Sequence, residues 1–328
     1  MNSRLESLAW SVLACIALVP VAAAAANAPA WPNKTVRLIV PFSPGGGTDY
    51  IARALAQKFS ETFGQSFIVD NRPGGGGTVG AETTVRATPD GYTMCLVSAS
   101  YAANPALHKL PYDPVFGIAP VSLLAYGPLI VVAGPSLKAK DLKELIAAAR
   151  AKPDSISYGS TGVGSLAHLV GALLDQQTGM RTVHVPYKGA GPGLTDLLAG
   201  NIQLAYYTAV AVQPHVKAGR LRALGVTTEK RVDAFPGVPA IGEIVPGVVA
   251  EHWYGLWGTP GTPGRIIARV NQAVAAALQG QELRERIVAD GFVPAHSTPE
   301  AFRQRLERDV ARWKDVVRRG NIRVDPNG

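Results

Sequence analysis

Two stretches of this chain carry residue types whose spacing could do chemistry. One is Ser43-Pro44-Gly45-Gly46-Gly47-Thr48-Asp49; the other runs from Gly159 through Ser160, Thr161, Gly162, Val163, Gly164 and Ser165 to His168. Each sets glycines and small hydroxyls directly before an apolar pattern of helical period. The first amides of a helix have no intrahelical partner and present partial positive charge. Glycines in front of them let an anion reach the backbone. A tight turn that needs positive φ is the plainer reading of such glycines, and for Gly45 to Gly47 both readings stand. A third cluster, Asn71-Arg72-Pro73 and then Gly74 to Gly77, precedes a short helix from about Val79 to Arg86.

Rival chemistries fit less well. Gly75 to Gly80 matches G-x-G-x-x-G, and Gly162 to Ala167 its G-x-G-x-x-A form, but 35 glycines make coincidence easy. The dinucleotide fingerprint also needs an acid about 20 residues on. The strand after the second match ends in Tyr187-Lys188 and the one after the first in Ser98. Ser165 stands where a phosphate loop requires lysine. Nucleotide binding is therefore rejected and no cofactor is expected. There is no G-x-S-x-G elbow. Ser165 and His168 are spaced i, i+3 and could touch, which keeps a secreted Ser/His hydrolase as the alternative, with no orienting acid located. Histidines 108, 168, 184, 215, 252 and 296 are scattered singly, without metal-ligand spacing. What remains is two glycine loops, each opening a helix. Face to face across a cleft they would clamp a carboxylate without arginine. Two termini with three or four hydrogen bonds reach roughly 5–16 kcal/mol gross, enough for micromolar affinity after association costs.

The elements that must position these loops follow from periodicity. Val36 to Val40 reads as a strand. Ile51, Leu55 and Phe59 mark a helix with Thr48 and Asp49 as cap candidates and Gly64 as its end. Strands follow at Ser66–Asp70 and Tyr92–Ser98. Repeated β–α units predict an α/β fold of parallel sheets with helices on both faces, and ligands at the carboxyl ends of strands. Leu129–Ala133, Ile156–Tyr158, Thr182–Val185, Ile202–Tyr207 and Leu221–Val226 predict a second parallel sheet, with an Asp141-capped helix through Arg150 and a short helix at Gly193–Leu198. Trp253 to Trp257 reads as a crossover between domains. Thr262-Pro263 and Thr298-Pro299 each start a helix. The stripe Phe302, Leu306, Val310, Trp313 and Val317 faces the core on the second, and its arginines form a solvated face.

Composition bounds the rest. Of 328 residues, 47% are apolar and 17% charged, which fits a globular chain of about two domains. The net charge, 32 − 24 = +8, admits nucleic acid, an anionic membrane or anionic small ligands. Residues 1–26 show Arg4, an apolar run from Leu8 to Val19, Pro20 and an alanine tract, the pattern of a secretory signal cleaved near Ala26; the rival is an uncleaved membrane anchor, against which Pro20 and the alanines argue. Export argues against nucleic acid. Cys15 lies in that segment, and Cys95, alone in an apolar strand, is expected to be a buried thiol without a disulfide.

Seven stretches, PFSPGGGTDYIAR, DNRPGGGGTVGAE, ANPALHKLPYDP, YGSTGVGSLAHL, VPYKGAGPGLTDLLAG, VKAGRLRALGVT and FPGVPAIGE, resemble the Bug family of periplasmic receptors of tripartite tricarboxylate transporters, in the family's order from about Trp31 to Asp325. The resemblance implies a periplasmic two-domain Venus-flytrap fold, each domain a mostly parallel sheet flanked by helices: residues 31–126 plus 254–328 in one domain and 127–253 in the other. It implies a non-enzymatic receptor, working as a monomer, that passes a small carboxylate to two membrane transporter subunits. Its ligand loops map onto Ser43 to Asp49 and Ser160 to His168, contributing Ser43, Gly45, Gly46, Gly47, Thr48, Asp49, Ser160, Thr161, Gly162, Gly164, Ser165 and His168. Gly76, Gly77, Ser98, Asn104 and Tyr207 are the further expected contacts. Many relatives carry Asp or Asn after the strand that here ends Tyr206-Tyr207-Thr208. The departure implies a ligand that is not an amino acid and an aromatic pocket wall, unless Tyr207 is an ordinary edge-strand tyrosine.

Overall fold

The structure, a computed structural model, describes residues 31–289, 291–320 and 322; the expected signal segment lies outside them. From Lys34 onward the chain forms one compact unit, built as two lobes. The first lobe begins with β1 (Val36–Val40), α1 (Gly47–Phe63), β2 (Phe67–Asn71), α2 (Thr78–Val85), β3 (Thr93–Ser98), α3 (Ser100–Ala103) and β4 (Ala119–Gly127). The second holds β5 (Ile130–Ala133), α4 (Leu142–Ala151), β6 (Ser157–Ser160), α5 (Leu166–Thr178), β7 (Val183–Pro186), α6 (Ala190–Ala199), β8 (Leu204–Tyr207), α7 (Ala209–Lys217) and β9 (Arg222–Val226). The chain then returns to the first lobe as β10 (His252–Gly258), α8 (Gly264–Gln279), α9 (Gln281–Ala289), β11 (Val293–Pro294) and α10 (Pro299–Gly320).

The sheets have the orders β11-β4-β10-β3-β1-β2 and β7-β6-β8-β5-β9. Both are mixed, not mostly parallel as the β–α rhythm suggested. Pairs β1–β2 and β1–β3 are parallel, as are β6–β7 and β6–β8. β11 pairs with β4 antiparallel at the sheet edge, and the other antiparallel pairs share a cause. β5 and β10 are the strands by which the chain crosses between lobes, and each enters its new sheet directly, without a crossover helix, so it runs against its neighbours. β10 lies between β3 and β4, and β5 between β8 and β9. The two sheets thus repeat one topology. The aromatic segment is not the crossover itself: all seven residues of β10 are buried inside the first sheet. A domain boundary at 253/254 would cut this strand; the crossing segment ends before His252.

Thr227 ties the two crossings together. Its hydroxyl accepts from the Leu129 amide at 2.9 Å, its amide donates to Leu129 O at 3.0 Å, and its carbonyl accepts from the Ala250 amide at 2.7 Å. One buried apolar cluster runs on through both lobes, from Ile39 and Trp257 to Leu145 and Leu169. α10 buries the expected stripe, with Phe302 and Leu306 fully enclosed. Its polar face is partly engaged: Arg305 pairs with Glu251 and Asp309, and Asp309 accepts from the Trp253 indole at 2.7 Å. Cys95 is fully buried and its thiol is pushed up to about 12 by burial.

Candidate functional site

The carboxyl ends of β1, β3, β6, β7 and β8 converge on one cavity. α1 contributes Gly46, Gly47 and Thr48; the end of β3 gives Ser98 and Ser100; the second loop gives Thr161, Leu166 and Ala167. Ala190 comes from α6, and Tyr206, Tyr207 and Thr208 from the β8–α7 junction. Phe42, Leu129 and His252 complete the lining. Four helices of eight residues or more (α1, α5, α6 and α7) therefore begin at this cavity, and among its lining residues there is no Asp, Glu, Lys or Arg. Any anion held here meets helix termini and hydroxyls, not a cationic side chain.

The first loop is held from behind. α1 starts at Gly47 with Gly46 as its cap, two and three residues before the expected caps Thr48 and Asp49, and no side chain caps it. Asp49 instead turns back under the loop, 5% exposed. It accepts from the Gly45 amide at 3.2 Å, from Arg53 at 3.0 Å and from Asn71 at 3.0 Å. Burial opposes ionisation of Asp49, but these bonds outweigh it and hold the carboxyl below its ordinary range. Gly47 has no room for a side chain: an added Cβ would overlap the Tyr254 hydroxyl and sit 2.7 Å from Thr208 Oγ1.

The second loop is braced by histidines. Ser165 caps α5, its hydroxyl accepting from the His168 amide at 3.3 Å. The His168 ring turns to the loop and takes the Gly164 amide on Nδ1 at 3.2 Å. The Ser165 hydroxyl and the His168 imidazole therefore do not form the nucleophile–base pair that their spacing allowed; both are occupied in loop geometry. His184 stacks on His168 with ring centroids 4.0 Å apart and contacts Ser160 Oγ at 2.6 Å. Burial, with His108 nearby, lowers His168 to about 4; burial, with His168 nearby, lowers His184 to about 3. Both rings are neutral at pH 7. On α5 the Leu166 amide is already taken by Ser100 across the lobes at 3.1 Å.

Of the residues expected from sequence, Gly46, Gly47, Thr48, Ser98, Thr161 and Tyr207 line the cavity. Gly76 and Gly162 do not. They line a second cleft with His108 and Lys188, where the lobes meet backbone to backbone; a Cβ on Gly162 would lie 2.9 Å from Gly76 Cα. Ser43 donates its amide to Lys188 O across the lobes at 2.9 Å. Gly45, Asp49, Ser160, Gly164, Ser165 and His168 are absent from the lining and support the loops. Asn104 is buried, donating to Gly76 O at 3.3 Å, and Gly77 packs against Phe42. Tyr207 is no edge-strand residue: β8 is the central strand of its sheet, and Tyr207 is 1% exposed with its hydroxyl between Gly159 and Gly193. Absent from the expected contacts were His252 and Leu129, and with them Phe42, Ser100, Leu166, Ala167, Ala190, Tyr206 and Thr208. The first two flank the lobe crossings, and only the pairing of β10 with β4 brings them to the site.

A family model described as tripartite tricarboxylate transporter family receptor matches residues 51–322. The chain is 36% identical over 300 residues to the protein BugT of Bordetella pertussis, covering 90% of this chain and 92% of that protein. The solved structure of Rpa4515 from R. palustris with adipate superposes with a TM-score of 0.86 at 34% identity, covering 89% of this chain and 99% of that one. MatC from Rhodopseudomonas palustris with bound malate gives 0.84 at 31% identity, covering 88% and 100%. Receptors of this family are periplasmic binding proteins. A match along most of the chain, together with a two-lobed fold shared at this identity, places the protein: it belongs to the Bug, or TctC, family of tripartite tricarboxylate transporter receptors.

Proposed function

We propose that the protein captures a small carboxylate between its lobes in the periplasm and delivers it to the membrane subunits of a tripartite tricarboxylate transporter. The observation that carries this reading is the cavity lined by four helix starts and no charged side chain. Such a lining suits a carboxylate approached by backbone amides and hydroxyls, and the adipate and malate in the two neighbours are of that class. The ligand is not an amino acid. An ammonium group would need a carboxylate partner, but no acid lines the cavity, and Asp49, next to the lining residue Thr48, already accepts from Arg53, Asn71 and Gly45. Contacts come from Gly46, Gly47, Thr48, Ser98 and Thr161, with Asp49, Ser160, Ser165 and His168 holding the loops.

A melting-temperature screen against a carboxylate library tests the reading, since a ligand bound only by the folded state raises the midpoint. A di- or monocarboxylate at a hundred times its Kd should add about 2.7 kcal/mol. No shift with any carboxylate, or the largest shift with aspartate or glutamate, overturns it.

A further inference from the structure

Four residues of the cavity wall carry buried polar atoms with no hydrogen-bond partner: Tyr206 and Tyr207 at OH, Thr208 at Oγ1 and His252 at Nδ1. The Tyr207 hydroxyl is wedged between Gly159 and Gly193. Tyr206 packs edge-on against Tyr158 in the apolar cluster. Thr208 and His252 differ, because the topology sets them around one point. Tyr207 pairs with Ile130, so Thr208 leaves β8 beside the Leu129 crossing; His252 pairs with Gly127, so it starts β10 on the other side of that crossing. Leu129 lies between them in the lining. Thr208 Oγ1 also stands close to Gly47, the first residue of α1. His252 and Thr208 are 5% and 7% exposed. A buried polar side chain without a partner is costly and needs one.

Both groups are neutral. The His252 ring is enclosed by Tyr254 and Phe292, and no cation or carboxylate lines the cavity with it. A hydroxyl and a neutral imidazole each donate and accept. That pair complements a ligand group that also does both. A second full negative charge at this spot would find no cation to offset its desolvation.

We propose that Thr208 and His252 form a hinge-side subsite that reads a hydroxyl on the ligand's carbon skeleton, so that the preferred ligand class is a hydroxylated carboxylate. This rests on the carboxylate-receptor reading above and narrows it. The carboxylate binds at the helix starts, and the hydroxyl meets Thr208 Oγ1 and the His252 ring at the floor. A site built to bond a substrate hydroxyl rejects the analogue that lacks it, because the protein's own polar groups are then left buried and unpaired.

The test is calorimetry on the full-length protein with matched pairs that differ by one hydroxyl: malate against succinate, 3-hydroxybutyrate against butyrate. The hydroxylated member should bind at least about tenfold more tightly in one of these pairs. Thr208→Val and His252→Phe should each reduce that ratio to within about twofold, and His252→Gln, which restores a donor and an acceptor, should recover part of it. Equal affinities within every pair, or a ratio unchanged in both Thr208→Val and His252→Phe, overturn the subsite and leave the receptor reading intact. No binding by any of the four acids, despite a native melting transition, overturns the subsite; the wider library screen then judges the receptor reading separately.

Discussion

At the scale of single residues, the site is an arrangement of neutral groups kept neutral by burial. His168, His184 and His252 lie at about 4, 3 and 3, each lowered chiefly by burial. In the unfolded chain a histidine takes its proton near 6.5. Between that value and about 4 the unfolded state therefore binds up to three more protons than the folded one, and stability falls as pH falls. Asp175 runs the other way: burial raises it to about 6, so the folded state holds its proton first. The balance is about two protons, or roughly 2.7 kcal/mol per pH unit at most. Urea unfolding at pH 7 and pH 5 should show this loss, and His184→Phe should reduce the slope by roughly 1.4 kcal/mol per unit. An unchanged slope would mean that His184 is not the neutral brace described. The glycines and hydroxyls of both loops were legible in sequence because their physics is local. His252 was not, since a lone histidine before an aromatic strand gives no sign of what faces it.

At the scale of elements, period and caps carried most of the reading. Asp141 caps α4 by accepting the Glu144 amide at 2.8 Å, as its position before a helical pattern implied. Replacing it with Ala should cost about 1 kcal/mol in denaturant unfolding. A change near zero would mean that solvent satisfies the helix end equally well. Helices with ambiguous starts were read less well. α6 begins at Ala190 rather than Gly193, because Gly189 at φ 144° makes the turn that aims it at the cavity. α7 was not read at all: Pro214 interrupts its pattern, and nine residues leave little periodicity to detect. Strand direction was the chief loss. A β–α rhythm predicts parallel neighbours, but β5 and β10 arrive from the opposite lobe, and no local signal in Ile130–Ala133 or His252–Gly258 encodes that origin.

At the scale of the whole molecule, two repeats of one sheet topology exchange strands and meet along backbone. Gly76, at φ 61°, touches Gly162 there, and an added Cβ would overlap Val163 O. Gly76→Ala should hold the lobes apart. Carboxylate affinity should fall by at least about tenfold, roughly 1.4 kcal/mol, and X-ray scattering should no longer report compaction when ligand is added. Full affinity in this variant would show that the Gly76–Gly162 approach is not needed for capture. The two-lobed plan could be foreseen from the doubled β–α pattern and the family likeness. The crossing points could not, because Thr227, which ties Leu129 to Ala250, is an unremarkable threonine in the chain.

The bonds described between the lobes have one more consequence. Ser43 to Lys188 and Leu166 to Ser100 both run through amides, a hydroxyl or a carbonyl. Neither is an ion pair. Dissolved electrolyte screens charge against charge and leaves such neutral contacts nearly untouched. As ionic strength changes, these joints would neither loosen nor tighten.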